Sequence, residues 1–274
     1  MKTAVVTGGN SGMGKAIAMA LAKKQYRVII HGKDPEKTKL AEKEIIAGSG
    51  NHNIESVAVD ISLISGMKAL AEAIRQKTNS IHTLVLSTGV ILPEYIRTAD
   101  GLEAGFVIQY LSRFAVTRLL GEELRNGNAK IVMVGAPVIP GAKIFFEDIS
   151  LENNFSQVKA MAQEMFANHL FVQEFATRNP SPGVVINMAN VGVVKTGIVR
   201  HSNLFFKLGL SLVGKSPESA TKNFLYLATD EEVNFSGYFL KKPGRPGVKE
   251  KISYNAVTAA RLWDLSMELI KPVL

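Results

Sequence analysis

An apolar run, Lys2–Thr7, passes directly into TGGNSGMG (Thr7–Gly14) and then into Lys15–Lys24, where Ile17 and Leu21 fall at helical spacing. This order of strand, glycine turn and helix constrains the fold more than any other stretch. A chain that leaves a buried strand and enters a helix within a few residues needs glycine, both for backbone angles that a Cβ forbids and for close approach of a ligand. The free N–H groups at such a helix start favour an anion, and a diphosphate is the usual occupant of the arrangement. Gly8, Asn10, Ser11, Gly12, Met13 and Gly14 are therefore the candidates to hold a dinucleotide.

Beyond this turn, strand and helix alternate. Strand Arg27–His31 ends at Gly32-Lys33-Asp34-Pro35, and then come a helix (Glu36–Ala47), a strand (Ile54–Val59), a helix (Leu63–Lys77) and a strand (Thr83–Ser87). Such alternation implies parallel strands joined by right-handed crossovers, with ligands gathered at the strands' C-terminal ends. At the second strand's tip an acid would suit a free 2′-hydroxyl, whereas a cation suits a 2′-phosphate. The tip carries Lys33 and no acid, and Asp34 before Pro35 reads as a helix cap. NADP(H) is thus expected in preference to NAD(H). Asp60 and Ile61, at the third strand's end, are candidates for the adenine side, with the plainer reading that Asp60 caps the next turn.

The second half continues with a long helix (Gly101–Leu124), a strand (Lys130–Val134), a helix (Phe155–Arg178) stopped by Asn179-Pro180-Ser181-Pro182-Gly183, and a strand (Val184–Met188). A helix (Glu218–Ala228), a strand (Gly237–Leu240) and an amphipathic helix (Ala256–Ile270) complete it. The predicted fold is α/β, a Rossmann-type doubly wound, mostly parallel sheet of seven strands with helices on both faces, forming one domain over residues 1–274. His201–Gly214 is apolar along its length and reads equally as a flap over an apolar ligand, a lid around 198–215, or as a core-packing helix.

Composition closes off several functions. The absence of cysteine removes disulfides, thiolate catalysis and cysteine-based metal sites, and agrees with a reducing cytoplasmic setting. No signal-peptide-like stretch precedes the first strand and no apolar run of about 18 residues occurs, so neither secretion nor a membrane span is expected. The net charge of +8 comes from cations scattered among acids, which argues against nucleic acid and for a phosphate-bearing ligand.

TGGNSGMG, Asp60 after the third strand, Gly89 after the fourth, and NVGVVKTG (Asn190–Gly197) after the sixth together resemble the short-chain dehydrogenase/reductase family over almost the whole chain. The stretch FFEDISLENNFSQVKAMAQEMFANHLFVQEFA is similar to the retinol-dehydrogenase-like branch, as are KSPESATKNFLYLAT (Lys215–Thr229) and AARLWDLSMELI (Ala259–Ile270). The resemblance implies a nicotinamide dinucleotide, an apolar small-molecule ligand, and a homo-oligomer formed through the fourth and fifth helices. It assigns Gly192 and Thr196 to the cofactor. It also implies four catalytic residues: a tyrosine that exchanges the proton, a lysine that lowers its pKa, a serine that bonds the same oxygen, and an asparagine that holds a relay water. The register set by Ala167-Asn168 puts Met161 at the tyrosine's position and Met165 at the lysine's, while Ala136 and Gln109 stand for the serine and asparagine. Placing Phe155 and Lys159 there instead leaves a ring without a hydroxyl and loses the match at Asn168.

Neither methionine sulfur exchanges a proton at neutral pH. Three functions remain as alternatives: a cofactor-binding pseudoenzyme, which the missing groups favour; a non-redox enzyme of cyclase or isomerase type using the same pocket; and an atypical NADP-dependent oxidoreductase. Substitute proton donors in the last case would be Glu164, Tyr95 or Lys159.

Overall fold

A computed structural model of the chain describes residues 1–178, 183–192, 221–244 and 247–274. Thr196 and the 198–215 span lie outside these. The strands are β1 (Thr3–Thr7), β2 (Arg27–Gly32), β3 (Ile54–Ala58), β4 (Thr83–Leu86), β5 (Lys130–Gly135), β6 (Val185–Asn190), β7 (Tyr238–Leu240) and β8 (Lys249–Lys251). They form one sheet in the order β3-β2-β1-β4-β5-β6-β7-β8, parallel from β3 to β7. The order reverses between β1 and β4, and a crevice opens at such a switch point, beyond the strands' C-terminal ends. The expected doubly wound architecture is present, with one strand more than the sequence suggested. That strand, β8, runs antiparallel to β7 and is fully exposed. Its Lys-Glu-Lys has no apolar alternation to announce it, and lysines on an edge discourage further strand pairing.

Helices α1 (Gly12–Lys23), α2 (Pro35–Ser49) and α8 (Lys222–Thr229) cover one face. On the other lie α3 (Ile64–Arg75), the bent series α4 (Ala104–Phe106), a π turn (Val107–Leu111), α5 (Ser112–Leu119) and α6 (Gly121–Asn126), then α7 (Gln157–Arg178) and α9 (Ala256–Ile270). The two cores follow from strand periodicity, because alternate residues point to opposite faces. Val5, Ile29, Leu84, Ile131 and Ile186 join α3, α5, α7 and α9, whereas Val6, Ile30, Val85, Val132 and Val185 join α1, α2 and α8. The helix starts carry the expected signals. Asp34 accepts from the Lys37 N–H at 3.0 Å with Pro35 at the first helical position, and Asn255 accepts from Val257 and Thr258.

The single long helix expected over Gly101–Leu124 is interrupted twice, by the π turn and by a break at Leu120. A further element lies over it. Helix α9 crosses α5 and α7, burying Leu262 and placing Trp263 edge-on to Phe114 at 5.0 Å between the guanidiniums of Arg118 and Arg178. The Tyr110 hydroxyl and Ser266 Oγ meet at 2.7 Å in the same buried seam. Part of the fourth and fifth helices, the pair expected to face a second copy, packs against the chain's own α9.

Candidate active and cofactor site

The crevice floor is the turn after β1. Gly8 has φ +65°, open to glycine at little cost, and a Cβ there would stand 3.0 Å from the Thr88 backbone. A Cβ on Gly14 would overlap the Gly8 carbonyl oxygen and Ser87 Oγ, so α1 seats against β1 and β4 only because that position is glycine. Ser11 precedes α1 in extended conformation without a side-chain cap, and no acid lies in the first turn. The helix start is therefore left open to an external anion. Met13 does not line the surface; it is buried in the core beneath the turn.

At the adenosine end, Asn10 packs over Gly32 and donates to Thr38 Oγ1 at 3.3 Å. His31, fully buried, ties the turn to β3: Nε2 lies 2.9 Å from the Val59 carbonyl and Nδ1 faces the Gly8 N–H at 3.5 Å. A carbonyl only accepts, so Nε2 carries the proton, and burial holds the imidazole below the usual histidine range. Lys33 and Asp60, both expected at the cofactor, are paired with one another at 2.7 Å. Asp60 also accepts from the Ser62 N–H and hydroxyl, so its capping role is realised too. Burial would raise its pKa, but the Lys33 and Ser62 hydrogen bonds outweigh this and hold the carboxyl below the ordinary range. Ile61 is core. Gly89 follows β4 at the crevice, and Gly192, at φ +68°, follows β6 with its N–H on Asn190 Oδ1 at 2.8 Å.

The four positions singled out for chemistry lie just after β5, in the π turn and on α7. Met161 and Met165 lie one turn apart on a half-exposed face of α7, and Ala136 lies just beyond β5. Gln109 sits within the π turn, a local widening that often marks a functional position. Its Nε2 donates to Glu164, which is buried.

Behind these positions lies a polar seam that the sequence reading missed. Asn168 donates to the carbonyls of Gln109 at 3.1 Å and Glu164 at 2.7 Å, and accepts from Arg113 at 3.3 Å. Arg113, also buried, donates to Val134 O at 2.9 Å and Thr88 O at 2.7 Å, fastening the ends of β5 and β4. Burial brings its guanidinium down to about 10 although Glu164 is near. Glu164 and Glu103 both converge on Gly105, where a side chain would collide with them. Glu103 is satisfied by the N–H groups of Gly105 and Phe106, at 2.8 and 2.6 Å. Glu164 has its pKa raised well above the ordinary value, by burial first and then by the Glu103 charge, with Gln109 and Arg113 opposing. A partial signal was available: Gln109 and Arg113, and likewise Glu164 and Asn168, are four-residue pairs and so share one face of their helices.

The other substitute donors have different partners. Lys159 is bound to the loop before α7 through Asn154 Oδ1 at 3.1 Å. Tyr95 stacks edge-on to Phe155 at 5.8 Å, and its buried hydroxyl has no partner among the described residues. The described residues contain no helix long and apolar enough to cross a membrane and no cluster suited to a metal.

Comparison with known proteins places these features in a family. Residues 2–205 match the family model described as short chain dehydrogenase. Human retinol dehydrogenase 12 is 32% identical over 98% of this chain and 86% of its own, and human retinol dehydrogenase 11 is 31% identical over the same shares. Among solved structures, a 3-oxoacyl (acyl-carrier-protein) reductase from Agrobacterium tumefaciens with NADP bound superposes with a TM-score of 0.70 at 22% identity, covering 89% of this chain and 93% of its own. A putative uncharacterized protein from Mycobacterium paratuberculosis gives 0.73 at 22% identity, covering 99% and 94%.

Proposed function

This chain belongs to the short chain dehydrogenase family, and from that membership we propose that it binds NADP(H) at the β1–α1 turn without carrying out the family's carbonyl–alcohol interconversion. Support for the cofactor comes from the uncapped helix start beside Gly8 and Gly14, from Lys33 at the tip of β2, and from the NADP named with the Agrobacterium reductase. When bound, the dinucleotide would supply a hydride; Lys33 would meet its 2′-phosphate and the glycine turn its diphosphate.

The observation that carries the second half of the reading is the α7 face of Met161 and Met165. Reduction of a carbonyl needs a proton delivered as charge develops on oxygen. General acid catalysis contributes roughly 10²–10⁴-fold, and an oxyanion donor roughly another 10²–10³-fold. Two thioethers and the methyl of Ala136 supply neither, the Gln109 side chain donates to Glu164, and Arg113 donates to Asn168. The pocket then serves to bind the cofactor and an apolar small molecule, in a cytoplasmic setting. We retain a homo-oligomer formed through the fourth and fifth helices as part of this reading; a monomer by light scattering at micromolar concentration would overturn that part.

One observation favours a second reading, an oxidoreductase with a different acid: Glu164 holds its proton at higher pH than an exposed glutamate and touches Gln109. Fluorescence titration with NADPH, followed by turnover assays on a broad panel of aldehydes, ketones and alcohols, separates the two. Tight NADPH binding without turnover is expected, and the combined changes Gln109→Asn, Ala136→Ser, Met161→Tyr and Met165→Lys should introduce reductase activity. Family-level turnover that disappears in Glu164→Gln would establish the second reading instead, and absence of NADPH binding would overturn the first.

A further inference from the structure

Strand β2 directs alternate side chains to opposite faces, so residue 31 shares the face of Ile29, which packs into the core with Val5 and Val57. An aliphatic side chain would serve packing there. The chain has a histidine instead, only 2% exposed, and both its ring nitrogens are engaged. Nε2 donates to the Val59 carbonyl at 2.9 Å, which leaves the lone pair on Nδ1, and Nδ1 accepts from the Gly8 N–H at 3.5 Å. The carbonyl of the same residue accepts from the Gly9 N–H at 2.9 Å. His31 thus holds two successive N–H groups of the glycine turn inward and fastens them to the end of β3.

The turn has few other means of keeping its shape. Gly8 and Gly12 have φ of +65° and +53°, and Ser11 makes no side-chain cap. Glycine-rich backbone gives up the most conformational freedom when it is ordered, and a ligand that must order its own site loses affinity. With the N–H groups of Gly8 and Gly9 fixed on His31, those at the start of α1 remain for an anion. Burial lowers the ring's affinity for a second proton, against the opposing Val59 bond and Asp60 charge, so Nδ1 stays an acceptor near neutral pH.

We propose that His31 is a positioning residue for the dinucleotide: from behind the glycine turn its neutral ring presets the backbone that receives the diphosphate, and so raises affinity for NADP(H) and NAD(H) alike. This rests on the cofactor reading above and adds to it a residue that lies outside the glycine pattern and apart from Lys33 at the 2′-phosphate end.

Calorimetric titration of the full chain with NADP⁺ and with NAD⁺, in His31→Leu and His31→Asn, tests this. Asparagine Oδ1 stands as many bonds from the backbone as Nδ1 and accepts from Gly8, whereas leucine offers no acceptor. His31→Leu should weaken both dinucleotides about tenfold, the effect of one hydrogen bond, while His31→Asn stays within about threefold of the unmodified protein. Unchanged affinity in His31→Leu, a loss confined to NADP⁺, or an asparagine variant as weak as the leucine one would each overturn the proposal. If His31→Leu does not fold, ¹⁵N-histidine NMR of the unmodified protein decides. The His31 signals, identified among five histidines by their loss in His31→Asn, should show the Nε2–H tautomer and an Nδ1 shift that saturates with NAD⁺. An Nδ1–H tautomer, or an Nδ1 that saturating NAD⁺ does not move, would overturn the proposal. Unmodified protein that binds neither dinucleotide would overturn the cofactor reading and this proposal with it, whereas binding that His31→Leu leaves intact overturns this proposal alone.

Discussion

Replacing Arg113 by methionine removes the cation on which the ends of β4 and β5 converge. Three acceptors lose their donor: Thr88 O at 2.7 Å, Val134 O at 2.9 Å and Asn168 Oδ1 at 3.3 Å. A hydrogen bond from a charged donor contributes about 1.5–3 kcal/mol net, the longest of the three least, so the gross loss is roughly 4–7 kcal/mol. Against this stands the burial of the guanidinium, which brings its pKa down to about 10, a relieved cost of roughly 3 kcal/mol. Its Nε is already unpaired, so nothing is lost there. The balance is a destabilisation of about 1–4 kcal/mol, the direction expected when one partner is removed from a buried charged network. Urea unfolding followed by circular dichroism should show the midpoint lowered at constant slope, and Tm should fall by roughly 5–15 °C. Because Arg113 opposes the raised pKa of Glu164, adding Glu164→Gln should cost less than the sum of the two single changes. A loss under about 0.5 kcal/mol, or strict additivity, would refute the view that these side chains form one seam.

Glu164→Gln alone carries a sign that can be worked out. A carboxyl whose folded-state pKa is raised is favoured in its protonated form, so its contribution is greatest below the unfolded value of about 4 and is lost as pH climbs towards the folded value. The variant should therefore show a flatter decline of stability with rising pH, and an unchanged slope would speak against a buried acid. Lys33→Ala should reduce the preference for NADPH over NADH about tenfold, one charge-assisted bond, and equal affinities in the parent protein would remove the basis for the expectation. Trp263→Ala should destabilise by about 3–5 kcal/mol, read by urea unfolding, because the indole fills the seam between α5, α7 and α9; a cost below about 1 kcal/mol would mean that α9 is loosely held.

The alternation of strands and helices and the glycine turn were legible because each rests on a local signal. Apolar runs of strand length alternate with helical spacing, and Gly8 and Gly14 sit where a Cβ cannot. Asp34 and Pro35 announced the start of α2 in the same way. The polar seam was harder to read, since Arg113 and Glu164 look like ordinary helical charges until the tertiary contacts bring α5 and α7 together. Lys33 and Asp60 were each assigned to the ligand, but their mutual pairing depends on the spacing of β2 and β3, which neither stretch encodes alone.

The lock between Tyr110 and Ser266 joins residues 156 apart in the chain. During synthesis, α5 and α7 are complete long before α9 emerges, so the faces of Phe114 and Phe171 that Trp263 will cover stay wet and adhesive over that interval. Helix α9 thus acts as the closing shutter of this core. A nascent protein halted before α9 would be a natural client for chaperones, even with every strand of the parallel sheet already made.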